Sequence, residues 1–330
     1  MTQPGKARTA LKRGSLIAAA NWQVVAIQSV ADTTVKLLLA VPIVGGAVLV
    51  TALLGEDLGD VLAGDLRQML FGITGTLMAR PLALASYLFG FALVLAGGAG
   101  LMFLVKGGTV GVLVLADRSA GPVERPPLRV AGFRRAMLFS IEAFTASAAG
   151  LFRRYLLLGV VLIIVYLLVA ALSVALAYGL YGLAGSRPLL LGPVVAVGAS
   201  VFVSLVTIVN VVYLLVQIVV AVNDSRVGAA MREVGRFVRN EFWRVSRVFG
   251  VTLLLLLLIT LLSVVATWGF YLIAYVPLAG LVVLPLQLGA WLLRNLVFHY
   301  LGLTALSGYL SLYRSSAGRA AGGEFVPTSR

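Results

Sequence analysis

The run VTLLLLLLITLLSVVATWGFYLIAY at 251–275 carries no charged residue. At about 1.5 Å per residue, such a stretch is long enough to cross a hydrocarbon core of about 30 Å. In that solvent every backbone polar group must be satisfied within the segment, which leaves a helix as the single-segment solution. Directly before it, NDSRVGAAMREVGRFVRNEFWRVSRVF (223–249) sets Val227, Met231, Val234, Val238, Phe242, Val245 and Phe249 at steps of three and four. These positions make one face of a helix, with Arg232, Arg236, Arg239 and Arg247 mainly on the other. A surface-lying basic helix that feeds a membrane-spanning helix is the plainest reading.

Composition extends this to the whole chain. Of 330 residues, 61% are hydrophobic and 12% charged, with a mean hydropathy of +1.04. A soluble domain carries about 25% charged residues, so these charges are too few to cover a water-facing surface. Most of the surface must face lipid. The net charge of +14 then reports orientation and contact with anionic lipid ahead of nucleic acid, for which no motif is present. With no cysteine and the single histidine His299, disulfides, thiolate metal clusters, a cysteine nucleophile and multi-histidine sites are excluded. No cofactor is expected. The excess of arginine over lysine suggests a GC-rich, bacterial coding bias.

The expected fold is all-α: a polytopic membrane bundle of six transmembrane helices with cytoplasmic amphipathic basic helices. Residues 1–105 form a first hairpin. Its basic N-terminal arm holds Lys6, Arg8, Lys12 and Arg13 and no acid, and its strongest apolar run begins only at Leu37. That spacing argues for an uncleaved span from Val25 to Leu54 and against a signal peptide. Gln28, Asp32 and Lys36 lie four apart, acid before base, which fits a solvated helix entry better than an ion site. An acidic outer loop with Glu56, Asp57, Asp60 and Asp65 leads to the second span, Pro81–Val105, where Ala92, Ala96 and Gly100 make a small-residue face.

Residues 106–222 comprise a cytoplasmic loop (106–129), an amphipathic helix and a second hairpin. The Gly and Pro clusters argue for the loop. Its Gly-Gly pair lacks the ending of a phosphate-binding loop. The amphipathic helix runs from Arg129 to Gly150 with Phe133, Met137, Ile141 and Phe144 on its apolar face. Spans three and four are Tyr155–Tyr181 and Leu189–Val222. Residues 223–313 add the opening basic helix and a third hairpin: span five at Val251–Tyr275, a break at Pro277 and Pro285, and span six at Leu286–Leu312. A Gly- and Ala-rich flexible tail occupies 314–330.

Basic residues concentrate in the N-terminal arm, in 106–154, in 223–247 and in the tail, while the acids gather at 55–65. By the positive-inside rule both termini are cytoplasmic, in a bacterial cytoplasmic membrane. Spans three and five also match each other at a constant offset. Phe152, Arg154, Ser173, Val174, Gly179 and Tyr181 fall on Phe242, Arg244, Ser263, Val264, Gly269 and Tyr271. This suggests repeated helical hairpins related by an axis along the membrane normal. A plainer cause is that every outward span needs basic residues before it.

The helix order, the FRRYLLL (152–158) and FWRVSRVF (242–249) entries and the Ser-Val-to-Gly spacing of spans three and five together cover most of the chain. In these features it resembles the six-helix bacterial membrane domain fused to some glycerophosphodiester phosphodiesterases, and related uncharacterised multi-pass membrane proteins. The resemblance implies the membrane fold. The catalytic barrel of those fusions is not expected from this sequence, so their phosphodiesterase activity is not implied.

Three sets of residues are candidate sites. Span four carries a polar seam of Ser200, Ser204, Thr207, Asn210 and Gln217, with Tyr213 nearby, which suits interhelical hydrogen bonding or a substrate path. Arg294 and His299 are the costliest residues to place in span six. Arg294 should reach towards the outer interface and the acids of the 56–65 loop, and His299 fits a neutral packing residue better than a ligand or proton relay. Arg134, Arg135, Arg153, Arg154, Arg232, Arg236, Arg239, Arg244 and Arg247 are candidate contacts for anionic lipid or a partner. No catalytic constellation is present. The expected function is a non-catalytic scaffold or accessory subunit of a membrane complex, bound to other subunits or to itself. The alternative is a transporter or lipid-handling protein that uses the seam.

Overall fold

The structure, a computed structural model, describes residues 5–55, 74–75, 77–124, 130–184, 188–274 and 279–322. Every regular element among them is helical: α1 (Gly5–Ala20), α2 (Trp22–Leu54), α3 (Pro81–Ser119), α4 (Val130–Ala136), α5 (Ile141–Ala184), α6 (Pro188–Asn223), α7 (Val227–Ala274) and α8 (Ala279–Gly322). Five of them are long and apolar enough to cross a membrane, with spans at Trp22–Leu54, Pro81–Ser119, Ile141–Gly179, Gly192–Asn223 and Val227–Ile273. The chain is a multi-pass helical membrane protein. Six such helices are expected from the sequence. Among the described residues α8 is not one of these five.

The chain divides into two compact units, Gln28–Val105 and Met1–Ile27 with Lys106–Arg330. The larger unit joins α1 to both later hairpins. Within the smaller unit, Asp32 and Lys36 pair at 2.6 Å on α2. The Tyr87 hydroxyl of α3 donates to the Pro42 carbonyl at 3.0 Å. Gly46 lies directly beneath that phenol, where a Cβ would come within 2.5 Å of the oxygen. The acids at 56–65 lie outside the described residues.

In the larger unit the buried side chains gather at one end of the long helices. They come from α1 (Ala10, Ile17, Ala18), the last turns of α3 (Val110, Val112, Leu113), the first half of α5 (Leu151, Tyr155, Leu158), α6 (Leu215–Val220), the start of α7 (Val227, Ala230, Val234) and α8 (Leu303–Leu310). We call this the core end. Here α1 and α8 touch backbone to backbone, since a Cβ on Gly14 would lie 2.4 Å from the Thr304 carbonyl oxygen and 2.7 Å from the Gly308 nitrogen. Small residues allow such an approach, as they do between membrane helices generally. Away from this end the helices are largely exposed: the most apolar stretch of α5 is 0% buried and that of α7 6%.

Four local expectations are corrected, each for a physical reason. Residues 106–119 of the expected 106–129 loop are instead the end of α3, which runs unbroken to Ser119. Its glycines serve packing, not turning. A Cβ would lie 2.6 Å from the Phe144 ring at Gly108 and 2.3 Å from Ser147 at Gly111, so these glycines let α3 press against α5. The single amphipathic helix over 129–150 is instead α4, an irregular 137–140, and the first turns of α5. Buried Asn21 holds that break open: its amide donates to the Ala136 carbonyl at 2.8 Å and its oxygen accepts the Leu138 N–H at 3.1 Å. Ser140 then caps α5 by accepting the Ala143 N–H at 3.1 Å. The tail expected to be flexible from 314 is helical as far as Gly322.

The fourth correction concerns the basic segment at 223–249. It opens α7, whose buried side chains are Val227, Ala230, Val234, Phe237, Val245 and Val248, while Met231 and Phe242 are exposed. The helix is turned so that Phe237 meets Tyr313 of α8 edge-on, centroids 5.5 Å apart. It bends at Glu241 (φ −118°, ψ 24°) before entering the apolar run.

Replacing Gly14 by leucine should force α1 off α8 and destabilise the protein by about 3 kcal/mol, as overpacking of a tight core does. Gly302→Ala, on the same stretch of α8 but with open space around it, should change stability little. Thermal unfolding of both variants in detergent checks this.

Candidate functional site

The most concentrated polar chemistry among the described residues lies at the core end. Asp117 on the last turn of α3 has only 3% of its side chain exposed. Its Oδ1 accepts from Arg13 Nε at 2.7 Å and its Oδ2 accepts from Arg314 Nη1 at 2.6 Å. One buried carboxylate therefore joins α1, α3 and α8. Arg13 also donates to Glu124 Oε2 at 3.0 Å, to the Asp117 carbonyl at 2.8 Å, and to the Gly121 carbonyl. Gly121 presents that carbonyl from the left-handed region (φ 62°), which glycine adopts without strain. Burial alone would lower the Arg13 pKa, but the charge and hydrogen bonds of Asp117 and Glu124 outweigh it and raise the value. The cluster borders an open cavity of about 460 Å³ that also touches Arg118, Ser311 and Ser315.

Two further networks stand beside it. The Tyr313 hydroxyl donates to Glu233, and Asn223 donates to Glu233 at 3.0 Å and to the Tyr313 oxygen at 2.7 Å. Burial and then the bond to Glu233 push the Tyr313 phenol up to about 12. At the turn between α6 and α7, Asp224 pairs with Arg154, whose hydrogen bond and then charge hold that carboxyl below its usual range. The stabilisation from Asp224 is therefore present above the ordinary carboxylate range and lost as pH falls through its lowered pKa. Full exposure of that side chain keeps the effect small.

The polar seam of α6 splits in two. Ser200, Ser204 and Thr207 donate to the carbonyls four residues back in their own helix, at 2.7, 2.8 and 2.7 Å. Of the seam side chains only Asn210 reaches α5, its Oδ1 accepting the Tyr166 hydroxyl at 2.7 Å; at Gln217 it is the backbone carbonyl that accepts the Tyr155 hydroxyl, at 2.9 Å. The Lys106 ammonium lies 5.1 Å from the Tyr213 ring centroid, a cation–π contact. Beside the seam is a cavity of about 150 Å³ lined by Leu158, Val161, Leu162, Val165, Ile208 and Val209, with Tyr213 at its edge.

Arg294 and His299 part company. The His299 Nδ1 bonds the Asn295 carbonyl at 2.8 Å, one turn back on α8. Arg294 is exposed, with its guanidinium 5.5 Å from the Phe298 ring centroid. It faces a groove of about 650 Å³ between α7 and α8, which includes Ser263, Thr267, Tyr271 and Gln287. No carboxylate among the described residues pairs with it.

Of the candidate surface arginines, Arg134, Arg135, Arg153, Arg232, Arg236, Arg239 and Arg247 are exposed. Arg244 instead binds Glu241 at 2.7 Å, at the bend of α7, and Arg154 is engaged by Asp224. Arg13, Asp117 and Arg314 did not stand out in the sequence. Reading 106–129 as a loop hid Asp117, and reading 314–330 as a tail hid Arg314. A lone acid closing an apolar, glycine-bearing run was the available signal. No family model, curated protein or solved structure matches this chain.

Removing Asp117 leaves two arginines facing each other across a buried gap. Asp117→Ala should cost about 3 kcal/mol of stability, the scale of breaking a buried ion pair. Arg314→Ala should cost less than Arg13→Ala, because Arg314 makes one of these bonds and Arg13 makes four. Equal melting temperatures for wild type and Asp117→Ala would contradict this reading of the cluster.

Proposed function

We propose that the protein is a non-catalytic scaffold or accessory subunit of a membrane complex, with α8 as a sixth span and both termini on the cytoplasmic side. The observation that carries the proposal is the contrast along the helices. The core end is clasped by ion pairs and backbone-to-backbone packing, whereas the far halves of α5 and α7 present leucine, isoleucine and valine around most of their circumference. Such an arrangement anchors apolar helices firmly at one end and leaves their sides available to lipid, to another membrane protein or to a second copy. Basic residues at the core end, Arg134, Arg135, Arg153, Arg232, Arg236, Arg239 and Arg247, suit anionic headgroups of a bacterial cytoplasmic membrane, at about 1 kcal/mol each near the surface. The concentration of basic residues there supports the cytoplasmic orientation.

Transport along the α6 seam is the weaker reading. Its three hydroxyls are spent on their own helix, and the adjoining cavity is small and lined by aliphatic side chains. A solute path needs polar groups free to meet the solute, and these three donate within their own helix.

Purification in mild detergent should recover the chain with a stoichiometric membrane partner or as an oligomer. Replacing Arg232, Arg236 and Arg239 by glutamine should weaken that association at least several-fold while leaving the fold unchanged. A monomer with no partner that moves solute in liposomes would overturn the proposal.

A further inference from the structure

We infer that the groove between α7 and α8 binds one glycerophospholipid, with Arg294 holding the lipid phosphate. The inference rests on the reading of α8 as a span. It begins from charge: Arg294 is a permanent cation whose only partner among the described residues is the face of Phe298. A guanidinium offers paired N–H donors that match a phosphate in geometry as well as charge. In a bilayer, the phosphate of a phospholipid is the abundant anion that can bring its own apolar chains into a membrane groove.

The lining fits such a molecule. Ser263, Thr267 and Tyr271 are spaced four apart, which places them on one face of α7. Thr267 spends its donor on the Ser263 carbonyl, so Ser263, Tyr271 and Gln287 of α8 are the polar side of the groove that accompanies Arg294, while Ile259, Leu262, Phe270, Leu293 and Val297 supply aliphatic and aromatic walls. The Arg294 guanidinium lies 5.5 Å from the Phe298 ring centroid and shares the groove lining with Gln287. The phosphate would sit at Arg294 with the headgroup directed along the polar side and the chains against the apolar walls. At about 650 Å³ the groove has room for part of a lipid chain as well as the phosphate. This site is separate from the seam of α6 and from the arginines at the core end.

The test is native mass spectrometry of the full chain, delipidated in detergent and then given phosphatidylglycerol or a diacylglycerol with the same acyl chains. One phosphatidylglycerol should be retained per chain, with at least tenfold less diacylglycerol. Arg294→Gln should reduce phosphatidylglycerol to the diacylglycerol level, and Arg294→Lys should restore part of it. Ala266→Trp, which fills the groove and keeps the cation, should lose both lipids. Equal retention of the two lipids, or unchanged phosphatidylglycerol in Arg294→Gln, would overturn the inference. Labelling of single cysteines from opposite sides of the membrane, in Leu288→Cys and Gly318→Cys, tests separately whether α8 crosses. If it crosses and retention ignores Arg294, the lipid site alone falls.

Discussion

Everything at the core end depends on how closely α1 approaches α8. Gly14 lies where no side chain fits, against the backbone of Thr304 and Gly308. That approach brings Arg13 of α1 and Arg314 of α8 to the same carboxylate on α3. Neither half of the arrangement stands alone. Without the small residues the helices would be too far apart for one carboxylate to bridge, and without Asp117 two cations would face each other at the contact. Steric fit and charge thus specify the same register.

This matters because lipid gives apolar helices no reason to associate. Leucine against leucine is no better than leucine against an acyl chain, so contacts between spans must come from close packing, hydrogen bonds or ion pairs. The structure places those forces where polar chemistry is tolerated, at the core end, and places few of them along the far halves of α5 and α7. The hydroxyls of α6 follow the same rule, since each is satisfied within its own helix and needs no neighbour. Arg294 is the exception. It is a charge set into a groove away from the ion-pair cluster, and its chemistry points to a molecule that comes with the membrane.

The membrane class and the positions of five long helices were legible from apolar run length alone, because a charge-free stretch in lipid has one backbone solution. Less legible were features that depend on what lies across a contact. Gly107, Gly108 and Gly111 read as turn formers in one dimension, yet they are contact surfaces against α5. The stripe on α7 was read from its three- and four-residue steps, and Val227, Val234 and Val245 are buried, but Ala230 and Phe237 take the places expected for Met231 and Phe242. Spacing fixes a face only to within the neighbouring positions; the partner helix selects among them. Asn21 shows the same limit: its position just past α1 carries no sign that it would shape a break more than a hundred residues on.

The central claim is that the larger unit is held at its core end and open along its far halves. Because the chain has no cysteine, single spin labels can be placed along α7 in the protein reconstituted alone in nanodiscs, and their accessibility to molecular oxygen read by paramagnetic resonance. The account predicts strong protection at Val227, Ala230, Val234, Phe237, Val245 and Val248. It predicts high accessibility from Leu253 to Leu272, dipping only on the side that meets α8, near Leu256, Thr260 and Ser263. Protection around the full circumference of α7 in that far half would contradict it, because the spans would then form a closed bundle.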